Sequence, residues 1–149
     1  MSDFTFSKIN WKNKDDRWAF IKQNEAREYQ YRASKYQEWL GEYGLNFNTS
    51  DFIFEGSNIK KYVGGTNDIY KRHADVASLE TCQRFVAMLF YLNDDFEGGK
   101  TIFYPKCEST PKKGSVVVFP PYWLFPHEGT PVLKGEKYIM SNYCLWNYG

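Results

Sequence analysis

The chain carries two different hydrophobic periods, and the change between them falls near Gly44. Between about residues 14 and 40, the apolar positions 26, 29, 33, 36 and 40 advance by alternating steps of three and four. This spacing places side chains along one face of an α-helix. We therefore predict a long helix over these residues, with its apolar stripe packed against a core.

Beyond Gly44, the apolar residues gather in short runs that glycine, proline, asparagine and aspartate separate. The runs are rich in β-branched and aromatic residues, as is typical of strands joined by turns, and they occupy residues 58–64, 84–93, 100–104, 114–120 and 136–146. Several short strands after one helix predict a mainly β protein, a sandwich or barrel with the helix packed outside. We expect a single domain over residues 1–149, with a helical support over about 1–45 and a barrel over about 46–149.

Charge and composition exclude some classes of protein. A formal net charge of +1 is too small for a protein that binds nucleic acid mainly by neutralising phosphates. No stretch approaches the roughly 20 apolar residues that a membrane-spanning helix needs, and no secretory signal pattern is visible. The three cysteines are widely separated and odd in number, which favours reduced thiols over a disulfide framework. We expect a cytoplasmic protein with neither a nucleic-acid nor a membrane partner.

The chain has two histidines, His73 in "YKRHAD" and His127 in "FPHEG". Residues i and i+2 of a strand point to the same face, so His73 and Asp75 are expected to reach one metal ion together. With His127 they make two histidines and one carboxylate, the facial triad of non-haem Fe(II) oxygenases, which leaves coordination positions open. A lone His-x-Asp is also typical of a polar strand or a turn, and the triplet by itself leaves both interpretations open.

Lys137 stands ten residues after His127 on the predicted last strand, where Ser141 and Tyr143 share its parity. If Lys137 points into a barrel, the other two side chains do so as well. A buried lysine is costly unless it meets an anion, which would indicate an acidic co-substrate. The alternative is a surface lysine on an edge strand.

The segment from Tyr62 to Trp146 contains four motifs whose order and spacing together are specific to one protein family. The motifs are "HAD", "RFVAMLFYLNDDFEGGKTIFY", "PKKGSVVVF" and "HEGTPVLKGEKYIMSNY". The segment resembles the catalytic domain of the prolyl 4-hydroxylase-like family of iron(II)- and 2-oxoglutarate-dependent dioxygenases. The resemblance implies a double-stranded β-helix, a jelly-roll or cupin-like barrel with iron at one mouth. It also implies Fe(II), 2-oxoglutarate and dioxygen, with ascorbate as a candidate auxiliary factor, and hydroxylation of a C–H bond with release of succinate and carbon dioxide.

Carried over residue by residue, the resemblance implies that His73, Asp75 and His127 are the iron ligands. Lys137 takes the basic position that pairs with the C5 carboxylate of 2-oxoglutarate. The resemblance also implies catalytic roles for Tyr70 and Arg84. The predicted co-substrate-binding residues are Tyr62, Tyr91 and Thr101. Ser141 joins them because it shares the strand parity of Lys137.

Two positions depart from the family pattern, and they concern the substrate. Ala87 stands where threonine is common, and Tyr143 stands where peptidyl-proline enzymes usually carry tryptophan. We expect a proline-containing peptide or protein as substrate. The alternatives are the same chemistry on a small molecule such as a free amino acid, or a non-catalytic barrel that binds a metal or ligand.

The stretch "FPPYWLFPH" leads directly into His127. Its aromatic residues Tyr122, Trp123 and Phe125 have two interpretations. They form an aromatic wall that receives substrate near the metal, or they pack the end of the barrel.

Overall fold

The computed structural model describes residues 14–45, 52–105 and 107–147, with side chains described from residue 27 onward. The elements in chain order are α1 (Lys14–Gly41), β1 (Phe52–Phe54), β2 (Asn58–Val63), β3 (Tyr70–His73), a 3-10 helix (Leu79–Thr81), β4 (Arg84–Tyr91), β5 (Glu97–Gly98), β6 (Thr101–Phe103), β7 (Cys107–Ser109), β8 (Val116–Phe119), β9 (His127–Gly129), β10 (Val132–Lys134) and β11 (Glu136–Trp146). The predicted helix is thus confirmed. Residues 1–13 of the expected helical support lie outside the described residues, and the single-domain organisation stays a prediction.

The strands form two main antiparallel sheets. The larger has the order β1-β11-β4-β8, with β2 also pairing along β11, and the smaller has the order β3-β9-β6-β7. Strands β5 and β10 pair with each other and form a separate two-stranded sheet. The two main sheets meet at an apolar cluster to which the larger contributes Ala87, Phe119 and Tyr143 and the smaller contributes Phe103. This two-sheet arrangement confirms the predicted mainly β, jelly-roll class.

Strand β4 is buried on both of its faces. Successive strand residues point to opposite sides, so Val86, Met88 and Phe90 pack beneath α1, while Ala87 lies between the two sheets. A continuous apolar run is what a strand covered on both faces requires. The sequence "RFVAMLFY" therefore places β4 at the centre of the fold.

Helix α1 covers the outer face of the larger sheet. Tyr29 and Ala33 from its predicted stripe are buried in the cluster with β4, and Leu40 is buried further along. The predicted packing of the stripe is confirmed at these three positions. In the described part of the chain, no helix combines the length and the apolar character needed to cross a membrane.

Candidate metal and co-substrate site

The pairing of β3 with β9 brings the two histidines side by side. His73 and His127 are register partners at the end of this pair, and Asp75 follows two residues after His73. The Nε2 atom of His73 lies 3.4 Å from Asp75 Oδ1, and the Nε2 atom of His127 lies 3.6 Å from Asp75 Oδ2. One potential ligand atom from each of the three residues falls within 4.8 Å of the others. The predicted triad therefore comes together in space.

The route by which Asp75 reaches this point differs from the predicted one. Strand β3 ends at His73, and Asp75 sits in a bend beyond it. The shared-face rule for i and i+2 holds within a strand, so it does not account for the contact. The bend turns Asp75 inward, where its side chain is buried. The three predicted residues come together, but the predicted shared strand face is wrong, and their role as metal ligands stays a prediction.

Backbone carbonyl groups fix the orientation of both imidazole rings. Nδ1 of His73 lies 2.7 Å from the carbonyl oxygen of Lys71, and Nδ1 of His127 lies 3.1 Å from that of Phe125. A carbonyl oxygen only accepts hydrogen bonds, so each Nδ1 donates its proton. The neutral rings then present an unprotonated Nε2 to the centre of the cluster, which is the arrangement of metal-binding histidines.

The centre of the cluster has the polar atoms that a cation would satisfy. Nε2 of His73 and Oδ2 of Asp75 are buried and have no hydrogen-bond partner in the described structure. Buried polar atoms normally have a hydrogen-bond partner, so two buried atoms without one require an explanation. Two imidazole nitrogens and one carboxylate oxygen facing a common point suit a first-row divalent metal such as Fe(II). The residues present fit the metal that the resemblance implies.

The electrostatics of the cluster keep Asp75 ionised. Burial raises the pKa of Asp75, but hydrogen bonding and charge from His73, His127 and Tyr143 outweigh burial and hold that pKa below its ordinary value. Burial lowers the pKa of His127. Burial also acts to lower the pKa of His73, but the adjacent Asp75 carboxylate and the Lys71 carbonyl outweigh burial and leave that pKa raised.

Lys137 lies inside the barrel, as its predicted orientation requires. Its side chain is 3% exposed, and its Nζ donates to the carbonyl oxygen of Gly99 at 2.6 Å. Within residues 14–45, 52–105 and 107–147, no carboxylate forms an ion pair with it. Burial lowers the pKa of Lys137 to about 8. The surface-lysine alternative is excluded.

Gly99 makes room for Lys137. Its φ is +64°, in the left-handed region that favours glycine. A Cβ at this position would lie 3.1 Å from Lys137 Cδ and 3.0 Å from a ring carbon of Phe96. The "GGK" turn of the sequence therefore both bends the chain and opens the space in which the ammonium group lies.

The other predicted co-substrate residues line the same pocket as Lys137. Asp75, His127 and Lys137 line this pocket, and its walls also include Tyr62, Tyr70, Thr101, Ser141 and Tyr143. Lys137 bonds to Gly99, whereas His127 pairs with Phe103 four residues further along, so the lysine and the metal cluster lie at different ends of the pocket. Tyr91 reaches it through the hydroxyl of Thr101, 2.8 Å from its own. The Nζ atom of Lys137 lies 5.5 Å from the ring centre of Tyr91 and 5.6 Å from that of Tyr62.

Tyr70 and Arg84 line a second pocket beside the metal cluster, together with His73 and Asp75. The ring of Tyr70 meets that of His73 edge-on, with centroids 4.2 Å apart, and Tyr70 is 38% exposed. Arg84 donates from Nε and Nη2 to the two carboxylate oxygens of Glu55 at 3.1 and 3.0 Å. Arg84 is therefore engaged by an acid in this structure, and its expected contact with substrate stays a prediction.

The aromatic segment before His127 does not fill the barrel. Trp123 is 74% exposed and Phe125 is 39% exposed. The ring of His127 instead packs against Phe103 and Phe119, with centroids 5.5 and 4.8 Å away. The packing interpretation is therefore wrong for Trp123 and Phe125, and the aromatic wall remains as a prediction.

Sequence reasoning missed two contacts at the metal cluster. The hydroxyl of Tyr143 donates to Asp75 Oδ1 at 2.8 Å, and Glu55 pairs with Arg84. The parity of β11 indicated that Tyr143 points inward, but no local pattern reveals a partner 68 residues away. Glu55 follows a three-residue strand and carries no signal of its own.

Comparison with known proteins matches residues 57–145 to the 2OG-Fe(II) oxygenase superfamily. A probable prolyl 4-hydroxylase 9 of Arabidopsis thaliana is 30% identical over 119 residues, covering 60% of this chain and 40% of that protein. A viral collagen prolyl hydroxylase of Paramecium Bursaria Chlorella virus-1 is 25% identical with a TM-score of 0.55, covering 76% of this chain and 66% of that one. A Pseudomonas putida prolyl-4-hydroxylase is 26% identical with a TM-score of 0.52, covering 62% and 51%.

The matched segment exceeds half of the chain and contains all three residues of the metal cluster together with Lys137. This protein belongs to the 2OG-Fe(II) oxygenase superfamily, and its resemblance to prolyl 4-hydroxylases is confirmed. The chain spans about two fifths of the length of its curated plant relative.

Proposed function

We propose that this protein is an Fe(II)- and 2-oxoglutarate-dependent dioxygenase that hydroxylates peptidyl proline. One observation carries the proposal: a cluster of unsatisfied metal-ligand atoms and a buried lysine with no acidic partner among the described residues lie at different ends of one pocket. A dicarboxylate that reaches from a metal to Lys137 would complete both ends. 2-Oxoglutarate has that chemistry, because it carries a second carboxylate remote from its chelating keto acid.

Each end of the pocket has a defined role in this proposal. His73, Asp75 and His127 would hold the metal through three ligands and leave positions for co-substrate and dioxygen. Lys137 would bind the far carboxylate in a charge-assisted hydrogen bond. When bound, iron, 2-oxoglutarate and dioxygen supply the oxidising chemistry, with succinate and carbon dioxide as products, while the protein orients the target and excludes water.

Proline as the target is supported by the relatives and by the rim of the pocket. The three relatives named above are prolyl hydroxylases by name. Tyr70, which lines the pocket, is partly exposed, and an exposed aromatic surface suits the flat apolar surface of a proline ring. The cytoplasmic location expected from the free cysteines and the absence of a nucleic-acid partner stay predictions.

Succinate formation tests both the reaction and its substrate. The purified chain would be incubated with Fe(II), 2-oxoglutarate and ascorbate, alone or with a proline-containing peptide, its proline-to-alanine counterpart, or free proline. We expect the proline peptide to stimulate succinate release and to gain the mass of one oxygen atom, while its alanine counterpart does neither. Stimulation by free proline and by no peptide of a broad panel would establish the small-molecule alternative. No succinate under any condition would favour a non-catalytic barrel.

A further inference from the structure

The two oxygens of the Asp75 carboxylate have different surroundings. Oδ1 accepts a hydrogen bond from the hydroxyl of Tyr143 at 2.8 Å, in a buried contact. Oδ2 lies 3.6 Å from His127 Nε2 and has no hydrogen-bond partner in the described structure. Oδ1, which also lies 3.4 Å from His73 Nε2, is therefore the oxygen held by a protein donor, and Oδ2 is the oxygen without a donor.

Neighbouring groups hold the Tyr143 ring in the position that makes this contact. The guanidinium carbon of Arg84 lies 4.0 Å from the ring centre, a cation–π distance. Glu55 fixes Arg84 through two hydrogen bonds. Arg84 Nη1 also donates to the backbone carbonyl of Asp75 at 3.3 Å, and Asn142 Nδ2 donates to the backbone carbonyl of Glu55.

A carboxylate can bind a metal through one oxygen or through both. Binding through both would use one more coordination position, and that position is needed for co-substrate or dioxygen. A hydroxyl donated to Oδ1 opposes the second mode.

We propose that Tyr143 is a positioning residue for Asp75: its hydroxyl occupies Oδ1, so the carboxylate binds the metal through Oδ2 alone. The Arg84–Glu55 pair holds the ring at the required place. This inference rests on the metal site of the proposed function and adds to it a residue that sets how the carboxylate binds.

Tyr143→Phe tests the proposal, because it removes the hydroxyl and keeps the ring beneath Arg84. Tyr138→Phe is the matched control: Tyr138 lies on the same strand, and its hydroxyl donates to Glu136 at 2.7 Å in an exposed contact. Binding of Co(II) would be titrated in the wild type and both variants without 2-oxoglutarate. The ligand-field absorption spectrum of bound Co(II) reports coordination geometry independently of activity.

We expect Tyr143→Phe to weaken Co(II) binding by about tenfold, the usual effect of losing a partner that orients a metal ligand, and to change the absorption spectrum. Tyr138→Phe should leave both unchanged. Thermal unfolding of the metal-free variants would show that each is folded. If Tyr143→Phe is folded and binds Co(II) with wild-type affinity and spectrum, the positioning role is overturned.

A further variant distinguishes a failure of the positioning role of Tyr143 from a failure of the proposed metal site. His127→Ala removes a proposed ligand and should abolish Co(II) binding at the site. If wild type binds Co(II), His127→Ala does not and Tyr143→Phe matches wild type, the metal site stands and the positioning role falls. If wild type and His127→Ala bind Co(II) equally, both proposals fall together.

Discussion

The two ends of the pocket bury opposite charges in different ways. At one end, Asp75 is surrounded by His73, His127 and Tyr143, which outweigh burial and hold its pKa below the ordinary value. At the other end, Lys137 has the Gly99 carbonyl as its hydrogen-bond partner, and burial lowers its pKa to about 8. The carboxylate is partly compensated by neighbouring protein groups, although its Oδ2 atom has no hydrogen-bond partner in the described structure, whereas the ammonium group lacks a counter-charge among the described residues. The difference indicates that the lysine end is completed by a ligand that the protein must bind.

Removing a ligand at the compensated end should have the largest effect. His127→Ala leaves two of the three ligand atoms and should abolish 2-oxoglutarate turnover, measured as succinate release. The fold should persist, since the cluster around α1 and β4 does not include this residue.

Glu128→Gln on the same strand is the control for His127→Ala. Glu128 accepts a hydrogen bond from Tyr104 at 2.8 Å and is not one of the cluster residues. Its variant should keep wild-type turnover. Normal turnover in a folded His127→Ala protein would show that His127 is not a ligand.

Removing the charge at the other end should affect co-substrate rather than metal. Lys137→Ala should raise the 2-oxoglutarate requirement by one and a half to nearly four decades, because loss of a desolvated charge pair costs about 2–5 kcal/mol. Iron affinity should change little. Lys134→Ala is the control, since Lys134 is an exposed lysine 3.7 Å from Glu97. An unchanged 2-oxoglutarate requirement in Lys137→Ala would place this lysine outside the binding site.

The uncompensated lysine should also cost stability in the ligand-free protein. The fall of its pKa from 10.5 to about 8 corresponds to about 3 kcal/mol at neutral pH. Between pH 8 and pH 10.5 the lysine is more often protonated in the unfolded chain than in the folded one. The penalty for burying Lys137 therefore decreases, and the wild type becomes more stable, as pH rises from 8 to 10.5. Below pH 8 both states hold the proton and the penalty is fully present.

Lys137→Met checks this sign by urea unfolding. The variant should be at least as stable as wild type at pH 7, and its advantage should shrink as pH rises toward 10.5. A difference between the two proteins that does not vary over this range would contradict the burial of a charged lysine. Lys134→Met, at an exposed position, should show no such pH dependence relative to wild type.

The smallest expected effects concern the second pocket beside the metal cluster, which Tyr70 and Arg84 line. Tyr70→Phe should weaken peptide-stimulated succinate formation more than peptide-free turnover, because we propose that a peptide crosses the pocket at this residue. Arg84→Ala should lower both kinds of turnover, because Arg84 also holds the Tyr143 ring beside Asp75. Tyr104→Phe serves as the control for Tyr70→Phe, since the Tyr104 hydroxyl donates to Glu128 in a part-buried contact that does not involve the metal cluster. An equal loss in the two kinds of turnover in Tyr70→Phe would assign Tyr70 to the metal site rather than to substrate.

The elements that sequence could predict are those with a repeating local pattern. The helix begins at Lys14 and ends at Gly41, and the last strand spans Glu136–Trp146, in close agreement with the predicted 14–40 and 136–146. Strands of two or three residues, such as β5 and β9, carry no such pattern. They exist because a neighbouring strand pairs with them.

The residues of the site also fall into those that a local pattern predicts and those that depend on distant contacts. His73, His127 and Lys137 were predictable because their residue types and spacing matched a specific set of motifs. The bend at Asp75, the bond from Tyr143 to that carboxylate and the Glu55–Arg84 pair depend on how distant segments meet. Such contacts are properties of the folded chain, and no single stretch of sequence contains them.

The most direct test asks whether the two ends hold the same molecule. Isothermal titration of 2-oxoglutarate would be performed anaerobically with and without Mn(II), on wild type and Lys137→Ala. If 2-oxoglutarate bridges metal and lysine, Mn(II) should strengthen its binding to wild type, and 2-oxoglutarate should strengthen Mn(II) binding by the same factor, as linkage requires. In Lys137→Ala, Mn(II) alone should bind as in wild type, while 2-oxoglutarate binds far more weakly. Equal 2-oxoglutarate affinity with and without Mn(II), or in the two proteins, would contradict a shared site.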